Sequence, residues 1–186
     1  MPSLRISANF TRLDAFEVRL CRPLNAIAKA IPIRTYFRFI SRIGDWPLWV
    51  GLLVALPLVF GKPAVVPVIH MAVTALAGIV IYKSLKLTLI RERPFASHRD
   101  VCLFSKPMDR YSFPSGHTLQ ATCFMVMLAT YFPTLMWLLL PLAISIAVSR
   151  VVLGLHYPTD VAAGALIGFA LARVSFLVSA PTPPVL

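Results

Sequence analysis

Long apolar stretches constrain this chain more than any other feature of its sequence. The stretch Ala64 to Leu85 carries a single charged residue, Lys83, and a helix needs about 20 mainly apolar residues to cross a bilayer. Hydrophobic residues make up 58% of the chain and charged residues only 13%, which is far more apolar than an average soluble domain. The chain is therefore predicted to be an integral membrane protein.

The apolar stretches predict an all-α bundle of about five spanning helices. Before them, residues 13–42 mix arginines with apolar side chains, a pattern typical of an amphipathic segment that lies in the headgroup region. A chain of 186 residues has room for one such bundle, so we expect a single domain, 1–186. Its predicted parts are an amphipathic segment 1–45, a helical bundle 46–179 and a tail 180–186, with spans at Trp46–Phe60, Ala64–Leu85, Thr118–Phe132, Thr134–Ser149 and Val161–Val178.

Two longer polar segments, 83–117 and 149–160, follow the second and the fourth predicted span. Because two passages through the bilayer separate them, both segments lie on the same side of the membrane. The turns on the other side are too short to hold a polar site. Any site made of polar side chains is therefore expected where 83–117 and 149–160 meet.

These two segments carry residues that suit a phosphate ester. Their cations are able to neutralise phosphoryl oxygens, and the amide groups at a helix amino terminus form an anion cradle. A histidine held by a carboxylate becomes a competent nucleophile or base. The contributing residues are Lys86, Arg93, Ser115, Gly116, His117, Arg150, His156 and Asp160. Because Pro158 disfavours a straight helix through both members of the pair, we expect His156 on a loop and Asp160 in the first turn of the fifth span.

The spacing of these residues resembles the three-part signature of the type 2 phosphatidic acid phosphatase (PAP2) superfamily. The three parts are Lys86 with Arg93-Pro94, then Pro114-Ser115-Gly116-His117, then Ser149-Arg150 with His156 and Asp160. All three match in their internal spacing, which makes the resemblance far more specific than the PSGH tetrapeptide alone.

The resemblance implies a membrane lipid phosphatase that uses no cofactor and no metal. His156 is the implied nucleophile, Asp160 orients it, and His117 is the implied general acid. The implied phosphate-binding groups are Lys86, Arg93, Ser115, Gly116 and Arg150. The expected partners are a lipid substrate and the bilayer, with no nucleic acid, and the sequence does not indicate an oligomeric state.

Three alternatives stay open at this point. The same site is able to pass its phosphate to another lipid, as a phosphotransferase does. It is also able to hold vanadate, as a haloperoxidase does, although a membrane-embedded chain suits a lipid substrate better. A non-hydrolytic binder or transporter of anionic lipids is favoured only if both histidines are dispensable.

Other ionisable residues have simpler interpretations. Cations beside spanning helices are usually interfacial anchors, and we apply this interpretation to Arg91, Arg99, Lys106, Arg110 and Arg173. His70 is expected to be satisfied or interfacial, and His98 has no partner at a catalytic spacing. Gly164 and Gly168 form a small-residue face typical of helix packing. The three cysteines fit no zinc or disulfide pattern.

Location and substrate are predicted from the resemblance. Membrane members of the family typically act on the outer face, so we expect a multi-pass protein of the cell inner membrane with an extracytoplasmic site. The cations point the other way: if residues 23–42 do not cross the membrane, sixteen are expected on the site side against Lys62 and Arg173 on the opposite side, which by the positive-inside rule favours the cytoplasm. If residues 23–42 do cross, four arginines change sides, which weakens the count without reversing it. Undecaprenyl pyrophosphate is the first candidate substrate, and phosphatidylglycerophosphate is the next.

Overall fold

The computed structural model describes residues 3–179 and 183–185, and every regular element in them is helical. This confirms the predicted all-α fold. A 3₁₀ turn, Lys62–Ala64, joins the third and fourth of eight α-helices. The helices are α1 Ser3–Ile27, α2 Ile31–Ile43, α3 Trp46–Phe60, α4 Val65–Leu89, α5 Pro94–Ser97, α6 Gly116–Tyr131, α7 Pro133–Val152 and α8 Pro158–Val178.

Three stretches of the described chain are long and apolar enough to cross a bilayer: Lys62–Ser97, Pro133–Val152 and Pro158–Val178. The pair α2 and α3, bent by 52° at its junction, passes the same test as a fourth stretch. Helix α6 has only 16 residues and lies in the middle of the bundle, against α4, α7 and α8. α7 runs without interruption through Pro141.

The second predicted span is longer in the structure than in the sequence analysis. We expected it to end at Leu85, where charged residues begin, but α4 continues for one more turn to Leu89. Lys86 faces the inside of the bundle and is buried, so the charge does not end the helix. Ile90, with φ of 45°, is left-handed and terminates α4.

Two glycines on α8 allow a close backbone contact between α8 and α6. A Cβ atom on Gly164 would lie 2.5 Å from the carbonyl oxygen of Ser115, and one on Gly168 would lie 2.3 Å from that of Leu119. Only glycine fits at these two places, which confirms the predicted packing role. The contact fixes the amino terminus of α6 against the first turns of α8.

The two amino-terminal helices lie at the end of the bundle that carries 83–117 and 149–160, which we call the site face. The side chain of Asn25 in α1 binds the backbone of Cys102 and the carbonyl oxygen of Val152. Ser41 in α2 accepts a hydrogen bond from Arg150. On their outer side, α1 and α2 expose apolar residues such as Phe16 and Phe39, as amphipathic helices at a lipid interface do.

Of the predicted tail, residues 183–185 belong to the described chain. The Val185 amide donates a hydrogen bond to the carbonyl oxygen of Tyr131. Residues 180–182 and 186 lie outside the described residues.

Candidate active site

The predicted site residues surround a cavity of about 730 Å³ at the site face. Its polar end is formed by the end of α4, the loop before α6, the loop before α8, and the junction of α2 with α3. Its other end runs between α3 and α4 and is lined by apolar side chains, among them Leu53, Leu76 and Ile79. The cavity therefore joins a cationic chamber to an apolar groove.

Two cations of the chamber share one carboxylate. Lys86 Nζ lies 2.8 Å and Arg93 Nη2 lies 2.6 Å from the same oxygen, Asp109 Oδ1. Burial alone would raise the pKa of Asp109, but hydrogen bonds and attraction from Lys86 and Arg93 outweigh it and hold that pKa below its usual value. Lys86 and Arg93 are thus held together by an internal anion.

Arg150 forms the third cation of the chamber. It is buried at the end of α7 and donates hydrogen bonds to the hydroxyl groups of Ser149 and Ser41. Neither partner carries a charge. Among the described residues, Arg150 is therefore the chamber cation that donates hydrogen bonds only to neutral groups.

His156 lies on the short loop between α7 and α8, and Asp160 is the third residue of α8. His156 Nε2 is 3.3 Å from Arg93 Nη1, and because a guanidinium only donates, Nε2 is the acceptor. The proton of the neutral ring is then on Nδ1, which lies 3.5 Å from Asp160 Oδ2 without forming a well-aligned hydrogen bond. Nε2 is thus the nitrogen that carries the lone pair, which in this structure accepts from Arg93.

The charge state of His156 follows from its surroundings. Burial, followed by repulsion from Arg93, Lys86 and Arg150, lowers its pKa well below the ordinary value. The imidazole is therefore neutral at neutral pH, which is the state a nucleophile needs.

His117, in the first turn of α6, also lines the cavity. Its Nε2 atom lies 2.7 Å from Asp45 Oδ1, at the junction of α2 and α3. The His117 side chain is 13% exposed and the Asp45 side chain 31%, so the pair sits at the edge of the chamber. This geometry suits a histidine that carries a proton and gives it to a leaving group.

Ser115 and Gly116 differ in their position relative to the cavity. Gly116 lines it, while Ser115 is fully buried behind the wall. The Ser115 amide donates to the backbone carbonyl of Asp160 at 3.0 Å, and its hydroxyl caps α6 through Thr118. In this structure Ser115 therefore joins α6 to α8 rather than pointing at the cavity.

Three residues of this site were not predicted from the sequence. Asp45 and Asp109 were not among the candidate residues. Arg91 was assigned as an interfacial anchor, and this is wrong, because its side chain is 0% exposed and lies 2.6 Å from Asp160 Oδ1. One signal in the sequence could have indicated Arg91 as a site residue. It stands two residues before Arg93, in the polar segment that follows the second predicted span.

The remaining histidines lie away from the chamber. His70 Nδ1 is 2.7 Å from the hydroxyl group of Tyr131, while its Nε2 atom is buried and has no partner among the described residues, so the expected satisfied histidine is found at one nitrogen only. The ring of His98 packs edge-on against Tyr157 and does not line the cavity. The four histidines of the chain thus separate into two at the chamber and two elsewhere.

A cationic chamber with two histidines, open to a groove between membrane helices, defines a class of protein. Such a chamber fits a phosphoryl group, while the groove fits a chain that stays in the bilayer. The class is the membrane-embedded lipid phosphatases.

Comparisons with known proteins identify the family within this class. Residues 67–182 match the PAP2 superfamily. The chain is also 32% identical over 147 residues to an undecaprenyl-diphosphatase of Sulfolobus acidocaldarius, covering 78% of this chain and 70% of that protein. The chain therefore belongs to the PAP2 superfamily.

Solved structures agree with this assignment. The crystal structure of Aquifex aeolicus LpxE is 27% identical, with a TM-score of 0.71 over 86% of this chain and 94% of that chain. A PAP2-type phosphatidylglycerolphosphate phosphatase from Bacillus subtilis has the same fold, with a TM-score of 0.70 over 95% of this chain and 94% of its own, at 21% identity. Three other curated relatives are matched over 41 to 58% of their own length.

Proposed function

We propose that this protein hydrolyses the terminal phosphate of a membrane lipid through a phosphohistidine on His156. The observation that carries the proposal is the chamber itself, in which Lys86, Arg93, Arg150 and both histidines line one cavity that continues into an apolar groove. Phosphate binds the cations, and the lipid chain occupies the groove.

The reaction has two steps in which charge and protons balance. His156 Nε2 attacks phosphorus, the bond from phosphorus to the leaving oxygen breaks, and His117 gives its proton to that oxygen. Water then attacks the phosphohistidine, the P–N bond breaks, and His117 takes up the proton that water loses. Asp160 stabilises the positive charge on the His156 ring during the first step.

The cations stabilise the transition state of both steps. Charge spreads over the equatorial oxygens during phosphoryl transfer, so donors fixed before the reaction are worth most. Arg93, placed beside His156, is positioned to hold one of these oxygens, and Lys86 and Arg150 are able to hold the others. Gly116, which lines the cavity without a side chain, allows the phosphate to approach the start of α6.

An isoprenyl diphosphate is the substrate that we put first. The apolar groove between α3 and α4 is suited to a linear hydrocarbon chain, and the relative from Sulfolobus acidocaldarius is an undecaprenyl-diphosphatase. Phosphatidylglycerophosphate is the next candidate.

Phosphate release from a panel of purified lipids tests the proposal. The purified protein in detergent is expected to release phosphate from undecaprenyl pyrophosphate faster than from phosphatidylglycerophosphate, phosphatidic acid or lipid A. His156→Ala should lower turnover by about 10³-fold or more, while His98→Ala, a histidine outside the chamber, should leave it unchanged. Near-normal release by His156→Ala would contradict the proposed nucleophile.

We infer that the site opens to the extracytoplasmic face of the inner membrane, following the typical orientation of the family. The excess of cations on the site face opposes this orientation under the positive-inside rule, so a direct measurement is needed. Cys102 is partly exposed on the site face while Cys21 and Cys123 are buried. An impermeant thiol reagent is expected to label Cys102 in intact cells, with a Cys102→Ser protein as control. Labelling only after lysis would place the site in the cytoplasm.

We also propose that residues 1–186 act as one domain. Contacts of α1 and α2 with the site face support this proposal, because Ser41 binds Arg150, and Asp14 and Glu17 bind Arg91.

A further inference from the structure

Arg91 is enclosed by acceptors from two parts of the chain, α1 and the start of α8. Its Nη1 atom donates to Asp160 Oδ1 at 2.6 Å and to Thr159 Oγ1 at 2.7 Å, both at the start of α8. Its Nε and Nη2 atoms donate to Asp14 Oδ1 at 2.9 and 2.6 Å, and Nη2 also donates to Glu17 Oε2 at 2.5 Å. All three nitrogens of the guanidinium are used, so this arginine has no donor left for substrate.

Glu17 completes the connection from α1 to α8. Its Oε1 atom accepts from the Thr159 amide at 2.7 Å, and its Oε2 atom accepts from the Thr159 hydroxyl at 2.7 Å. A carboxylate at a helix amino terminus satisfies a free amide and interacts favourably with the helix dipole. The turn of α8 that carries Asp160 is therefore held by a residue of α1.

The charges of this cluster explain why Arg91 matters for Asp160. Asp160 is fully buried and Glu17 is 2% exposed, and a buried carboxylate is costly unless a cation and hydrogen bonds satisfy it. Arg91 is the cation that contacts Asp14, Glu17 and Asp160 together. Without it, Asp160 would lose the fixed position that keeps its charge 3.5 Å from His156 Nδ1.

We propose that Arg91 and Glu17 are positioning residues that fix Asp160 for catalysis, so that the amphipathic helix α1 is a working part of the active site. This inference rests on the proposed function and adds residues that act through Asp160 rather than on the substrate. It also gives α1 a role beyond contact with the membrane surface.

Arg91→Lys and Glu17→Gln test the inference, because both keep a polar side chain of similar length. A lysine is unable to bridge three carboxylates as the planar guanidinium does. Each variant is expected to lower kcat by about tenfold or more while KM changes by less than about twofold, since the phosphate-binding cations are intact. A rise in KM with kcat unchanged would overturn the inference.

A double-mutant cycle separates positioning from a general structural role. If Arg91 acts through Asp160, Arg91→Lys should cost less than about twofold in an Asp160→Asn protein, measured by single-turnover phosphate release. Equal losses in both backgrounds would show that Arg91 acts elsewhere and would overturn the inference. If Arg91→Lys does not fold, Glu17→Gln is measured in the same cycle.

Two controls keep this test apart from the proposed function. Arg99→Ala removes an exposed arginine of the same loop, and Arg22→Ala removes the exposed ion pair between α1 and Asp100; both should keep wild-type kcat. Lipid phosphatase activity of the wild type, abolished in His156→Ala, is established first. Inactive wild type refutes the proposed function, whereas active wild type with fully active Arg91→Lys and Glu17→Gln refutes only the positioning role.

Discussion

Asp45 Oδ1 lies 2.7 Å from His117 Nε2, so the proposed general acid has its own carboxylate partner. The partner comes from the junction of α2 and α3, far in sequence from the PSGH segment. Asp45 orients the His117 ring and stabilises the positive charge of the ring whenever it is protonated.

The loss of activity on removing His117 is expected to depend on the leaving group of the substrate. A lipid alkoxide needs a proton to leave, whereas p-nitrophenolate does not. His117→Ala should therefore lower kcat for a lipid phosphate by about 10²-fold or more, and for p-nitrophenyl phosphate by only about threefold. Equal losses on both substrates would mean that His117 acts as something other than a general acid.

Asp109 is expected to compete with the substrate phosphate. It accepts hydrogen bonds from Lys86 and Arg93, and phosphate needs these same donors. Asp109→Asn keeps the shape of the side chain but removes the negative charge that binds Lys86 and Arg93. Both cations are then freer to bind vanadate, a phosphate analogue, so vanadate should inhibit about threefold to tenfold more strongly. Asp100→Asn, at an exposed carboxylate paired with Arg22, is the control. Weaker inhibition by vanadate would show instead that Asp109 aligns the two cations for phosphate.

The acid limb of the pH profile should lie below the ordinary pKa of histidine. His156 attacks as the neutral base, so protonation inactivates it as the pH falls through its pKa. Because burial and the neighbouring cations lower that pKa below 6.5, the acid-side fall of kcat/KM should come at a pH below 6.5. Half-loss of kcat/KM on the acid side at or above pH 6.5 would contradict the neutral, buried His156.

Helix packing at Gly168 should be intolerant of a methyl group. The added Cβ atom would lie 2.3 Å from the Leu119 carbonyl oxygen, and backbone is unable to move away cheaply. Gly168→Ala is expected to cost about 1–3 kcal/mol of unfolding free energy, visible as a lower melting temperature in detergent. Gly51→Ala, whose Cβ meets nothing within 4 Å, is the matched control. An unchanged melting temperature in Gly168→Ala would mean that α6 and α8 separate readily.

The sequence predicted much of this structure for identifiable reasons. α3 begins and ends where the apolar run between Asp45 and Gly61 does, because a proline and a glycine mark its two ends. Pro158 predicted that the chain enters α8 from a loop, and it placed His156 outside that helix. These are local effects, in which the residue type alone fixes what the backbone does.

Arg91 and Arg93 show where sequence reasoning stops. They are two residues apart in the same short segment and have the same side chain, yet Arg93 lines the cavity while Arg91 is enclosed by carboxylates behind it. The difference is made by Asp14 and Glu17, about 75 residues earlier in the chain. No local pattern records this pairing.

The sequence by itself determined that this chain enters a membrane and which segments meet at one end of the bundle, and it supplied the candidate residues for phosphate chemistry there. Apolar length, helix breakers and spacing along the chain carry this information. Only the tertiary structure decided which carboxylate pairs with which cation or histidine. Asp109 binds two of the chamber cations, Asp45 binds His117, and α1 holds Asp160 through Arg91. The physical reason is that charge pairing acts over a few ångströms, and packing of distant helices sets those distances.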